Sequence, residues 1–294
     1  MNKIESVNDF VVRFANVNGS GSASANNLFA KAIFRAGVPV SPKNIFPSNI
    51  QGLPTWYEVR VNEHGFLGRR GGVDMTIAVN GQTLYRDYQE LAPGGYFLFD
   101  SSKELPDEFQ RNDVVVIGIP LTRLCNDAFE NPKLRQLLKN IIYVGSLAFL
   151  LDIDFSILTD SIKKQFSKKP KLADPNIKAL ELGYDYARDH YQGVCGLSVQ
   201  KVDKLGGDIL MDGNSAFGLG AVSAGATVTG WYPITPSTSV IEAFERYSWK
   251  FRNEEDTGRR KVAIIQAEDE LAALGIVIGA SWNGASPTPP LLRS

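Results

Sequence analysis

An apolar run that passes at once into a glycine-punctuated turn and then into helical spacing restricts this chain to one class of fold. Phe10–Val17 (FVVRFANV) is β-branched and apolar, and it predicts a buried strand. Asn18-Gly19-Ser20-Gly21-Ser22-Ala23-Ser24-Ala25 follows as a turn, and Leu28, Phe29, Ala32 and Ile33 fall on one face of a helix over Asn26–Ala36. Gly37 serves as the C-terminal cap, and Pro39 forbids continuation. Strand, turn, helix is the opening of an α/β fold built on a parallel sheet.

The same reading predicts strands at Trp56–Val61, Met75–Val79, Tyr96–Asp100, Val114–Ile119 and Ile141–Val144. The last three are nearly continuous apolar runs, the pattern of strands covered on both faces. Pro132–Asn140 reads as a short helix capped by Asn131, and Ser156–Phe166 and Asn176–Tyr191 as longer ones. The basic, Pro-containing stretch Lys163–Lys171 reads as a solvated connector. Glycines at 193, 196, 206 and 207 mark a boundary, giving one domain over 1–200 and a second from 206 to 294. In the second, Asn214 or Ser215 caps a helix over Ala216–Gly225, a strand runs near Thr227–Trp231, and Ser239 with Glu242 forms a capping box for a helix to Phe251. Val262–Gln266 reads as a buried strand, and Glu268-Asp269-Glu270 opens a last helix.

Composition removes several classes of function. Of 294 residues, 44% are hydrophobic and 21% charged, so the chain can build a packed core. A net charge of −1 without a basic block gives no electrostatic case for nucleic acid. Cys125 and Cys195 are the sole cysteines, too few for a disulfide framework or a four-cysteine iron–sulfur site within this chain. His64 and His190 lack neighbouring metal ligands at useful spacing. The longest apolar runs, Ile141–Leu151 and Leu271–Trp282, are too short to cross a bilayer, and Met1–Phe14 does not have the form of a secretion signal. A soluble cytoplasmic protein is expected.

Three segments carry candidate chemistry. Backbone N–H groups of Asn18–Ser24 at a helix start suit phosphate, although Ser24 stands where the dinucleotide fingerprint has its third glycine. The competing reading is a tight turn without a ligand. Tyr232-Pro233-Ile234-Thr235-Pro236-Ser237-Thr238 fixes a hydroxyl and helix amides at the carboxyl end of a strand, where a carboxylate ligand fits. The competing reading is a Pro-stiffened strand-to-helix turn with a Ser cap. Glu268-Asp269-Glu270 reads as a solvated helix start, yet the small residues after it (Ala272, Ala273, Gly275, Gly279, Ala280) let a flat ring or a second backbone approach.

Together with Gly207-Asp208, Gly213-Asn214, Ala216 and Gly218, the Tyr232–Thr238 segment and Gln266-Ala267-Glu268-Asp269-Glu270 resemble the α subunit of 2-oxoacid:ferredoxin oxidoreductases, the 2-oxoglutarate type in particular. Asn16–Ala25 and Phe46–Tyr57 resemble the γ domain fused ahead of α in that type. The resemblance implies a Rossmann-like γ domain followed by the incomplete start of a thiamine-diphosphate pyrimidine-binding α/β domain. It implies that Glu270 holds the cofactor's pyrimidine nitrogen, that Tyr232, Pro233 and Ile234 belong to the cofactor site, and that Thr235 holds the substrate carboxylate. It implies oxidative decarboxylation of a 2-oxoacid to an acyl-CoA, with coenzyme A as acyl acceptor and ferredoxin as electron acceptor. Mg2+, the cofactor diphosphate and a [4Fe-4S] cluster are then expected on a partner β subunit.

The tail departs from this pattern. Residues 286–294 carry Pro287, Pro289 and Pro290, where an α/β unit should deliver another strand, so a truncated or frame-shifted α subunit is expected. Pyruvate or branched-chain 2-oxoacids are the alternative substrates. A non-catalytic assembly module and a nucleotide-dependent dehydrogenase using Asn18–Ser24 are the rival functions.

Overall fold

A computed structural model describes residues 2–45, 50–234, 237–253, 256–259 and 261–287. The chain divides into two compact units, Met1–Asp208 and Ile209–Ser294. Among the described residues no helix is long and apolar enough to cross a membrane.

In chain order the first unit comprises β1 (Ser6–Val7), β2 (Asp9–Val17), α1 (Ser22–Arg35), β3 (Val40–Ile45), β4 (Pro54–Asn62), β5 (Val73–Ala78), α2 (Leu84–Gln89) and β6 (Leu91–Asp100). It continues through β7 (Val115–Ile119), α3 (Leu121–Ala128), α4 (Pro132–Leu150), α5 (Phe155–Gln165), α6 (Ala173–Tyr191) and β8 (Leu197–Ser198), the last pairing with β1. Six strands form one sheet in the order β3-β4-β2-β5-β6-β7. The four from β2 to β7 run parallel, while β4 and β3 extend the edge antiparallel. The sheet is therefore mixed, and β3 is a strand the sequence pattern did not offer. Its Pro42 is tolerated because β3 is an edge.

Alternation along the strands sends Phe10, Val12, Phe14, Met75 and Ile77 into a core shared with α1, α4 and α6. A smaller cluster around Tyr88, Phe97 and Phe99 packs separately with α2. On β2 and β4, Arg13 pairs with Glu58 at 3.2 Å and with Glu90 at 2.5 Å.

The expected strand Ile141–Val144 is instead the middle of α4, which runs unbroken from Pro132. A run buried on every side has no periodicity to separate a strand from a helix. Its cap is as expected: the Asn131 side chain accepts from the Lys133 amide at 3.0 Å, with Pro132 at the first helical position. What holds α4 is its crossing with α6. A Cβ on Gly145 would lie 2.0 Å from the Leu180 carbonyl oxygen, and one on Gly183 would lie 1.8 Å from that of Ile142. The two backbones touch, and Ser146 Oγ donates across the crossing to the Gly183 carbonyl at 3.0 Å.

The second unit holds α7 (Gly213–Ser223), β9 (Val228–Trp231), α8 (Thr238–Phe251), β10 (Ala263–Gln266) and α9 (Glu270–Trp282). Strands β9 and β10 pair in parallel, from Val228 beside Ala263 to Trp231 beside Gln266. Strand β10 is mostly exposed rather than buried, because an apolar run reports strand propensity and not what covers it. Helix α7 starts earlier than expected. Asp212 caps it by accepting from the Ser215 amide at 2.8 Å, in place of Asn214 or Ser215. Helix α8 has no side-chain cap bond, so the Ser239/Glu242 box does not form; Ser239 Oγ accepts from Asn214 Nδ2 at 2.7 Å. After α9 the chain returns to the sheet: Thr227 N donates to Ser286 O at 2.6 Å, and Val228 bridges Pro287 in parallel. The Pro-rich segment thus begins a pairing, which Pro287 permits at the first strand position. Residues 288–294 lie outside the described residues.

Two outcomes follow. Gly183→Ala drives a methyl into a backbone carbonyl and is expected to cost about 2–3 kcal/mol, read as a lower urea midpoint by far-UV circular dichroism. The hydrogen bond from Ser215 holds the Asp212 carboxyl below its ordinary value. A depressed carboxyl stabilises the fold at pH above the unfolded value, and that contribution disappears as pH falls through the lower folded one. Below about pH 4 the second unit therefore loses stability, and Asp212→Asn flattens this slope in acid titrations of unfolding.

Candidate functional site

Parallel pairing of β9 with β10 brings the two chain exits together at one sheet edge. Ala267 N donates to Trp231 O at 2.6 Å and extends the pairing one residue beyond β10. Tyr232 follows β9, half-buried, with Pro233 exposed and Ile234 half-buried after it. The Ile234 carbonyl accepts from Ser237 Oγ at 2.9 Å and from the Thr238 amide at 3.0 Å, which ties this exit to the start of α8. Thr235 lies outside the described residues.

The three acids after β10 take three different places. Glu268 is exposed. Asp269 is the N-cap of α9, accepting from the Ala272 amide at 2.8 Å. Glu270 is the first residue of α9 and half-buried, and its Oε1 accepts from the Tyr232 hydroxyl at 2.5 Å. The structure therefore joins two candidates that the sequence put 38 positions apart. The strand beneath makes this possible: a Cβ at Gly230 would lie 2.7 Å from the Ala273 carbonyl oxygen, so α9 rests directly on the β9 backbone. A carboxylate at this end of α9 also meets the positive end of the helix dipole.

In the first unit, Asn18–Ser24 turns through Gly19 and Gly21, both at positive φ (82° and 76°), with Gly21 immediately before α1. Two clefts flank this turn. One of about 290 Å3 is lined by Asn18, Gly19, Ser20, Gln51, Lys139 and Asn140. The other, about 230 Å3, includes Asn16, Gly21, Ser22 and Trp56. Asn16 is 1% exposed, and neither atom of its side-chain amide has a partner among the described residues. A buried, unpartnered amide facing a cleft is a group that a ligand would satisfy. A third cleft of about 540 Å3 shares Val79 and Lys139 with the first and adds Leu84, Phe99 and Leu105. None of these clefts includes Tyr232 or Glu270. Lys139 carried no sequence signal as a site residue, and Asn16 entered only as the first residue of the Asn16–Ala25 resemblance; a polar residue in an apolar strand was the further hint.

Other candidates are quiet. Cys125 lies buried in α3, and burial pushes its thiol up. Burial likewise raises Cys195 to about 11, so neither thiol is an activated nucleophile. His190 stacks on Tyr186 at 4.1 Å, and His64 sits 3.4 Å from Glu63. Among the described residues no group of three or more His, Cys, Asp or Glu side chains could hold a metal ion.

Residues 11–186 match the family model described as pyruvate ferredoxin/flavodoxin oxidoreductase, and residues 219–288 match that family's thiamine-diphosphate-binding model. Subunit alpha of 2-oxoacid:ferredoxin oxidoreductase 2 from Aeropyrum pernix is 24% identical over 91% of this chain and 48% of its own length. A 2-oxoglutarate synthase subunit, KorA of Methanocaldococcus jannaschii, is 42% identical over 74 residues, 25% of this chain and 18% of its own. Among solved structures, a 2-oxoglutarate:ferredoxin oxidoreductase from Magnetococcus marinus, with 2-oxoglutarate, coenzyme A and succinyl-CoA bound, aligns with TM-score 0.79 and 27% identity. It covers 95% of this chain and 46% of that one. A pyruvate oxidoreductase subunit from Thermotoga maritima shares the fold, with TM-score 0.50 and 20% identity over 60% of this chain and 96% of its own. The chain spans about half the length of the longer relatives it matches.

Proposed function

From the premise that this chain belongs to the pyruvate ferredoxin/flavodoxin oxidoreductase family, we propose that it acts as the α-type subunit of a 2-oxoacid:ferredoxin oxidoreductase, with 2-oxoglutarate as substrate. The observation that carries this reading is the Tyr232–Glu270 hydrogen bond at two adjacent parallel-strand exits, inside the segment matching the thiamine-diphosphate-binding model.

The residues fit the group. Thiamine diphosphate, when bound, supplies the carbon nucleophile and the electron sink for decarboxylation. Glu270 would hold the pyrimidine ring nitrogen, and its half-burial would strengthen that bond over one made in open water. Ala272 and Gly275 are exposed on α9, and no described atom lies within 4 Å of where a Cβ on Gly275 would stand, whereas Ala273 is spent against β9. Tyr232, Pro233 and Ile234 border the ring site, and Thr235 holds the substrate carboxylate. Mg2+, the diphosphate and a [4Fe-4S] cluster reside on a β subunit, which passes electrons to ferredoxin.

Coenzyme A docks on the first unit in this reading. Its phosphates suit the backbone amides of Gly21 and Ser22 at the start of α1 and the Lys139 ammonium, the Ser20 amide being spent on the Val17 carbonyl, and a polar group of the ligand satisfies Asn16. The apolar cleft beside Leu84 and Phe99 accommodates the uncharged part of the molecule.

The test uses this chain coexpressed with its β-type partner. Deuterium exchange at the thiazolium carbon, followed by NMR, is expected to fall at least about 100-fold in Glu270→Gln; near-normal exchange removes the assignment. Methyl-viologen reduction is expected to give the highest kcat/KM with 2-oxoglutarate, ahead of pyruvate and branched-chain 2-oxoacids. In the same assay Lys139→Ala raises the KM for coenzyme A about 10-fold and leaves kcat near its original value. An unchanged KM relocates the acyl acceptor.

A further inference from the structure

We propose that Tyr232 is a positioning residue for Glu270: its hydroxyl fixes the carboxylate at the strand exits and sets how strongly that carboxylate holds a proton. The catalytic meaning of this rests on the thiamine reading above; the coupling between the two side chains does not.

The geometry comes from two chain segments held independently. Tyr232 leaves β9, whose last residue accepts from Ala267 at 2.6 Å, and Glu270 opens a helix whose cap is made by its neighbour Asp269. The hydroxyl of Tyr232 reaches Glu270 Oε1 at 2.5 Å across that junction. The bond therefore spans elements that are already placed, and it restricts the Glu270 rotamer at little further cost in entropy.

Charge gives the bond its chemical role. Glu268 and Asp269 stand on the same turn as Glu270, and their negative charges favour its protonated form. Strands β9 (Val-Thr-Gly-Trp) and β10 (Ala-Ile-Ile-Gln), the pair from which these exits leave, carry no titratable group. The phenol of Tyr232 acts in the opposite sense, because a donated hydrogen bond stabilises the ionised carboxylate. A carboxylate that already accepts a hydrogen bond from a phenol is a weaker base toward a heteroaromatic N–H. A proton shared with a bound ring would then lie nearer the ring nitrogen. Loss of the hydroxyl would remove that stabilisation of the ionised carboxylate, a change in the same sense as the pull of the two neighbouring acids toward a protonated Glu270.

Carbon-13 labelling of glutamate carboxyls in the full chain reads this directly, with the Glu270 resonance identified by its loss in Glu270→Gln. Tyr232→Phe is expected to raise the Glu270 titration midpoint by about one pH unit. It leaves unchanged the exchange protection of the Ala272 amide, which reports the Asp269 cap. An unmoved midpoint with that protection retained overturns the inference. Should Tyr232→Phe lose the protection, the reciprocal variant decides: Glu270→Gln shifts the Tyr232 ring Cζ resonance if the coupling exists, and leaves it in place if the inference is wrong. Thiamine diphosphate with Mg2+, titrated onto the coexpressed complex and followed by tryptophan fluorescence, tests the underlying reading separately. Coupling without cofactor binding sinks the thiamine role alone, and binding without coupling sinks the role of Tyr232 alone.

Discussion

Everything distinctive about the second unit depends on β9 and β10 lying side by side in the same direction. Four registered pairs, from Val228–Ala263 to Trp231–Gln266, oblige the chain to leave both strands at the same edge. Had the strands run antiparallel, Tyr232 and Glu270 would have emerged at opposite ends, a strand length apart. Parallel pairing also demands a long crossover, and α8 fills it. The hydroxyl–carboxylate contact is thus a consequence of topology before it is a matter of side-chain chemistry.

The first unit obeys the same rule on a larger sheet. Its glycine turn follows β2, and its clefts draw on residues just past β2, β5 and β6, all at the carboxyl edge of parallel strands. Helix N-termini and unspent backbone amides concentrate there, which is why ligands of α/β sheets gather at that edge. The antiparallel pair β4 and β3 plays a different part. It covers the edge of β2, and the Arg13–Glu58 and Arg13–Glu90 pairs dress the sheet face there with charge.

The sequence announces an element wherever local chemistry and tertiary environment agree. Phe10–Val17 alternates between two buried faces and ends at glycines, so strand and turn were both legible. Asn131-Pro132 marked its helix start by a backbone-level signal that no environment overrides. Legibility fails where burial erases contrast: in 141–150 the helix is enclosed by the sheet core on one side and α6 on the other, and polarity has nothing to alternate with. It fails again at caps, because Asp212, Asn214, Ser215 and Ser239 are all competent acceptors and the choice among them rests on how α7 meets α8. The family resemblance singles out Glu270 among the three acids. That its partner is the Tyr232 hydroxyl required the sheet, since nothing local to either segment specifies the other.

Gly230 bears on how this sequence can drift. The Ala273 carbonyl occupies the space where any side chain would begin, and Ile276 closes the same space from the next turn at 3.1 Å. Every single-base change that replaces a glycine supplies a Cβ, so substitution by any other residue lifts α9 off the strand and carries Glu270 away with it. The position is in effect a one-letter alphabet, and the descendants of this gene that keep the carboxylate in register must keep that letter, however far their surfaces diverge.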